Sequence, residues 1–84
     1  MDKGITAEEY RRFRALLRQM RLEAGLTQVE VAKRLDEPQS FVSKYESGER
    51  RLDVIELRRV AQALGTTLAV VVLRLNQELD TTDE

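Results

Sequence analysis

The sequence predicts an all-α domain of five helices, and three features carry that prediction. One proline and four glycines are spread through 84 residues, so long stretches run without a helix breaker. A Thr or Asp stands three residues before a Glu at Thr6–Glu9, Thr27–Glu30 and Asp53–Glu56. At that spacing a side chain and the backbone satisfy each other's orphan groups at a helix start. After each of these pairs, apolar residues return every three or four positions, the period of one helix face.

The first helix follows Thr6 and presents Tyr10, Phe13, Leu17, Met20 and Ala24, with Gly25 as a left-handed stop. Glu8 and Glu9 suit the positive end of its dipole. The arginines of YRRFRALLRQMR, Arg14 and Arg18 among them, read as a solvated face. The second helix starts at the Thr27 box and carries Val31, Ala32 and Leu35. The third is expected to start at about residues 37–38, with Pro38 preorganised for its first turn, and to stop at Gly48. Phe41, Val42 and Tyr45 are its apolar positions. The fourth follows Asp53 with Val54, Leu57, Val60, Ala61 and Leu64, then Gly65; Arg58 and Arg59 fall on its solvated side.

The last stretch, TTLAVVVLRLNQEL, is ambiguous. Thr and Val favour strands, whereas Leu68, Val71, Val72, Leu75 and Leu79 keep a helical spacing. A fifth helix capped by Thr67 is the expectation, and a strand pairing with a partner chain is the alternative. Val70 and Leu73 lie off the main stripe. Surplus apolar surface on a small domain marks a partner, so these two are the expected dimer interface. The layout is one domain over 1–79, a helix-turn-helix over about 27–47, a dimerisation segment at 66–79 and an acidic tail at 80–84.

With 84 residues the chain holds one core of marginal stability. The absence of cysteine and histidine removes thiol nucleophiles, imidazole acid-base chemistry and the usual zinc sites. No enzyme activity, metal or cofactor is expected. The longest apolar run, LAVVVL, is far short of the roughly 20 residues of a membrane span. A cytoplasmic protein without a membrane partner is therefore expected. Net charge is −1, yet residues 10–51 hold ten Lys or Arg against six acids, and residues 76–84 hold four acids and no base. A basic body with an acidic end is compatible with nucleic acid and equally with a mixed surface.

The two short helices between Thr27 and Ser47, joined by a tight turn, fit a helix-turn-helix unit, in which the second helix enters the major groove. Gln39, Ser40, Ser43 and Lys44 then share a face opposite Val42 and Tyr45. Gln matches the N6 and N7 of adenine, Lys donates to guanine O6 and N7, and Ser does either. Any amphipathic helix has a polar face. Two serines inside a helix lower its stability, however, and short side chains let the backbone approach another surface.

Residues 25–68 resemble the Cro/phage-repressor (XRE) helix-turn-helix family. The matching motifs are Gly25-Leu26-Thr27-Gln28, the small Ala32, Val42-Ser43 with Glu46 and Gly48, and Ala61-Gln62-Ala63-Leu64-Gly65. The resemblance implies a compact five-helix, lambda-repressor-like DNA-binding domain. It implies base contacts from Gln39, Ser40, Ser43 and Lys44. It places Thr27, Gln28, Ser47, Arg50 and Arg51 near phosphates, and pairs Glu46 structurally with Arg21. Asp36 and Glu37 depart from the family, which often has Gly and a small residue there, and Pro38 replaces a Ser or Thr cap. Phe41 is large for its position and is read first as core.

The resulting expectation is a repressor that binds a palindromic operator in double-stranded DNA as a homodimer. One alternative is the antitoxin of a toxin-antitoxin pair, with the C-terminal segment holding a toxin partner. Another is a protein-interaction adaptor that uses the same fold without DNA.

Overall fold

The computed structural model describes residues 3–80, with side chains from residue 7 onward. Five helices follow in order: α1 (Lys3–Glu23), α2 (Gln28–Leu35), α3 (Gln39–Ser47), α4 (Val54–Ala63) and α5 (Leu68–Asp80). α2 packs on α3 and α4, α1 packs on α3 and α5, and α4 packs on α5. Leu17, Val31, Val42, Tyr45, Val60 and Val71 are the most deeply buried large side chains. Each helix thus contributes at least one, and the short α2 and α3, of eight and nine residues, depend on this packing.

The capping boxes at α2 and α4 form with both reciprocal bonds. α1 behaves differently, because it already runs from Lys3 and no proline upstream stops it short of Thr6. Thr6 therefore lies within the helix instead of starting it, and its side chain is outside the described residues. The end of the acidic tail, residues 81–84, is also outside them, and Asp80 closes α5.

The last element is a helix, not a strand. The Thr67 hydroxyl accepts the Val70 N–H at 3.2 Å, a serviceable N-cap. Burial of Val71 between neighbouring helices overrides the strand preference of the β-branched run. Val54, Val72 and Ala24 leave the expected core faces and are exposed, whereas Leu16 is buried. Val54 is the first residue of α4, and a helical Cβ tilts toward the N-terminus, past the end of the core. Among the described residues no helix is long and apolar enough to cross a membrane.

Arg12, Arg14 and Arg59, expected on solvated faces, make structural contacts instead. Arg59 on α4 donates to the Leu35 carbonyl at the end of α2 (2.7 Å), and Arg34 on α2 returns the contact at the Ala63 carbonyl, the end of α4 (2.8 Å). Each helix thus places a cation on the negative end of the other. Arg12 does the same at α5, donating to the Glu78 carbonyl at 2.9 Å. Arg14 lies against Gly48, where an added Cβ would meet its guanidinium at 3.0 Å. Gly48 has φ +91°, a left-handed conformation that favours glycine, and an added Cβ would also press on the Arg14 guanidinium.

Candidate nucleic-acid interface

α2 is eight residues long and α3 nine, so the turn between them fixes their relation. Asp36 adopts a left-handed conformation (φ 59°, ψ 44°). Its N–H reaches the Lys33 carbonyl at 3.1 Å and the Glu37 N–H reaches the Ala32 carbonyl at 3.0 Å. This closes the helix as a glycine would, and Asp tolerates that region better than most residues. Pro38 is extended (φ −70°, ψ 158°) and stands just before α3, one residue outside the first turn where it was expected. Its ring offers no acceptor, so the positive end of α3 has no side-chain cap.

On one flank of α3 lies a buried ion pair. Arg21 Nε and Nη2 donate to the two Glu46 oxygens at 2.7 and 3.0 Å, and Arg21 Nη1 donates to the Leu26 carbonyl at 3.0 Å. The side chains are 8% and 5% exposed. The Glu46 carboxylate raises the pKa of the Arg21 guanidinium above its ordinary value. Gln28 continues the network, donating from Nε2 to Glu46 Oε1 at 3.0 Å, and its own oxygen accepts Gln39 Nε2 at 3.3 Å. A buried charge pair thereby orients, through Gln28, the first side chain of the polar face.

That face holds Gln39, Ser40 and Lys44 exposed and Ser43 half-buried, above the buried Val42 and Tyr45. The Ser43 hydroxyl donates to the Ser40 carbonyl at 3.3 Å and the Ser47 hydroxyl to the Lys44 carbonyl at 3.2 Å. Both serines bond back into the helix and leave the surface low. Lys44 makes no ion pair among the described residues, so its charge is available to an incoming anion.

The other flank carries Phe41, which packs against the core without being fully buried. Its ring meets Tyr45 edge-on at 5.7 Å, and the Arg50 guanidinium lies 4.5 Å from its centroid. Arg50, expected on a phosphate, turns inward. Its Nη1 and Nη2 donate to the Glu56 oxygens at 3.2 and 2.7 Å, and Nη1 also donates to the Arg51 carbonyl at 2.9 Å. These bonds, with that of the Asp53 N–H, hold the Glu56 carboxyl down at about 2. Arg51 stands on the Tyr10 ring of α1 at 4.2 Å. Thr27 is engaged in the α2 cap.

The structure therefore gathers Gln28, Gln39, Ser40, Ser43, Lys44 and Ser47 about α2 and α3 and directs Arg50 and Arg51 elsewhere. Val70 and Leu73 are both exposed on α5, three residues apart on the helix. Leu73 shares an apolar groove with Leu68, Val72 and Leu79, and Val70 lies outside it. Sequence reasoning missed Val72 on that surface, the Gln28–Gln39 bond and the Phe41–Arg50–Glu56 cluster. The signal for the last was a Glu already fixed at a capping position six residues after an Arg.

A helix-turn-helix family model matches residues 17–71. Among solved structures, an XRE-family like protein from Pseudomonas syringae pv. tomato is 43% identical, with 90% of this chain and 93% of that one covered and a TM-score of 0.84. The clp gene regulator ClgR from C. glutamicum is 26% identical over 83% of this chain and 91% of its own, with a TM-score of 0.73. A point mutant of the restriction-modification controller protein C.Esp1396I shares the fold at 24% identity, with 89% of this chain and 95% of that one covered and a TM-score of 0.81. A comparison with curated proteins finds no match. The chain belongs to the XRE-type helix-turn-helix family of DNA-binding transcriptional regulators.

Proposed function

We propose that the protein is a sequence-specific repressor that binds a palindromic operator as a homodimer, with α3 in the major groove. The polar face of α3 carries this reading: Gln39, Ser40 and Lys44 stand exposed over a buried anchor of Val42 and Tyr45. Gln39 and Lys44 supply the directional contacts, to adenine and guanine edges respectively, and Ser40 and Ser43 permit close approach. Thr27, Gln28 and Ser47 face the backbone phosphates, and Arg51 reaches one by leaving the Tyr10 ring on which it stands. Arg50 is left out of this set because Glu56 already holds its guanidinium.

Dimerisation follows from energetics. One nine-residue helix reads only a few base pairs, and Asp36 and Glu37 at the turn oppose phosphate attraction nearby. Two half-sites restore useful affinity. The exposed apolar side chains of α5, Leu73 and Val70 among them, supply the contact. A dimer seated on an operator excludes other proteins from that DNA, which is repression without any further surface.

Selection of bound duplexes from a random pool at physiological salt tests this reading. The expected result is a two-fold symmetric motif with half-sites about one DNA turn apart. Flat enrichment overturns it. Sedimentation at micromolar concentration tests the dimer, and a monomer there removes that part. Co-purification with a second protein held on α5 supports the antitoxin alternative instead.

A further inference from the structure

We infer that Arg50 is a positioning residue, locked between Glu56 and Phe41 and withheld from the DNA backbone, so that Glu56 sets how much positive charge this flank offers to phosphate. The inference rests on the DNA-binding reading of α3.

The latch joins three elements. The Arg50 N–H donates to the Lys44 carbonyl at 3.2 Å and so helps to end α3. The side chain grips α4 through both Glu56 oxygens, and its guanidinium carbon lies over the Phe41 ring of α3. A single residue thereby ties the recognition helix, the loop after it and the next helix together. An Arg leaving for a phosphate gives up the bidentate pair, the bond to the Arg51 carbonyl and the Phe41 stack at once. One phosphate returns at most a bidentate contact of similar geometry.

Glu56 cannot follow Arg50 outward. Its N–H donates to Asp53 Oδ1 at 2.7 Å and its Oε1 accepts the Asp53 N–H at 2.9 Å, so it is pinned at the first turn of α4. Glu37 lines the same cleft with Leu35 and Arg59 and adds a second negative charge beside the guanidinium. The cation is therefore paired within the chain, although its position after α3 is one from which a backbone contact is expected. Phe41, large for its place, finds its role here: it forms the flat wall on which Arg50 rests.

The test compares wild type with Arg50→Gln and Glu56→Gln by titrating a fluorescent mixed-sequence duplex over a range of salt. Gln at the third helical position keeps the capping box, so Glu56→Gln removes charge and leaves the helix start in place. Each phosphate neutralised contributes about 0.9 to the slope of log affinity on log salt. Arg50→Gln is expected to leave the wild-type slope unchanged. Glu56→Gln frees Arg50 and is expected to steepen the slope by about 0.9. A slope that falls by about 0.9 in Arg50→Gln overturns the inference, and so does an unchanged slope in Glu56→Gln.

A second measurement needs no DNA. In the free protein, Arg50→Gln is expected to raise the Glu56 titration from about 2 toward ordinary carboxylate values. An unmoved titration also overturns the latch. Failure of wild type to bind any duplex, with the Glu56 titration shifted as expected, sinks the DNA reading and leaves the latch standing as a structural one.

Discussion

α3 is held by an arginine–glutamate pair on each flank, and the two pairs differ in burial. Arg21–Glu46 is 8% and 5% exposed, whereas Arg50–Glu56 is 37% and 27% exposed. The contact lengths are the same, 2.7 Å at the shortest, so geometry alone does not separate them. Solvent does. In the buried pair, loss of one partner strands a charge without water. In the exposed pair, water replaces a lost partner and the stability at stake is small. The buried flank therefore secures the fold and aims Gln39 through Gln28, and the exposed flank governs charge and orientation with little effect on stability.

The largest expected effect breaks the buried flank. Glu46→Ala leaves Arg21 buried and unpaired and is expected to destabilise the domain by about 3–5 kcal/mol, read from the urea midpoint. A loss below about 1 kcal/mol would place the pair in water and erase the contrast. Replacing both partners, Arg21→Met with Glu46→Leu, is expected to recover most of that stability. Gln28 then has no Glu46 to hold it, so base discrimination at Gln39 is expected to weaken while the melting temperature is kept. Binding selectivity measured beside thermal unfolding checks the split.

On the exposed flank, Arg50→Gln is expected to move the urea midpoint far less than Glu46→Ala does, because water takes up the freed Glu56 carboxylate. Equal shifts from the two variants would remove the distinction between the flanks. The smallest effect is the pH dependence. The folded Glu56 carboxyl is held at about 2, below its ordinary value of 4.5. Its contribution is thus fully present above pH 4.5 and is lost as pH falls toward 2. Glu56→Gln is expected to flatten that acid limb of the stability curve, and an unchanged limb would show that other carboxylates carry it.

What the sequence made legible was local. Thr27 with Glu30 and Asp53 with Glu56 announce the starts of α2 and α4 because each box closes within four residues. Leu17, Val42, Tyr45 and Val60 are core because their helix faces leave them no other place. What stayed hidden depends on neighbours distant in the chain. Periodicity defines a helix face without saying where its cover ends, so Val54 and Val72 fall on apolar stripes and are nonetheless exposed. The exchange of arginines between α2 and α4 joins residues 29 and 24 positions apart and has no sequence signature. The resemblance places Arg50 outward, and only its contacts with Phe41 and Glu56 turn it inward. The polar face of α3 was readable as chemistry, whereas the bond that aims Gln39 spans two helices.

The most direct test of α3 as the reading surface is to repeat the random-pool selection with Gln39→Ala beside wild type. Loss of preference at one base position in each half-site, worth about 1–3 kcal/mol, is the predicted result. An identical motif from both proteins would contradict it.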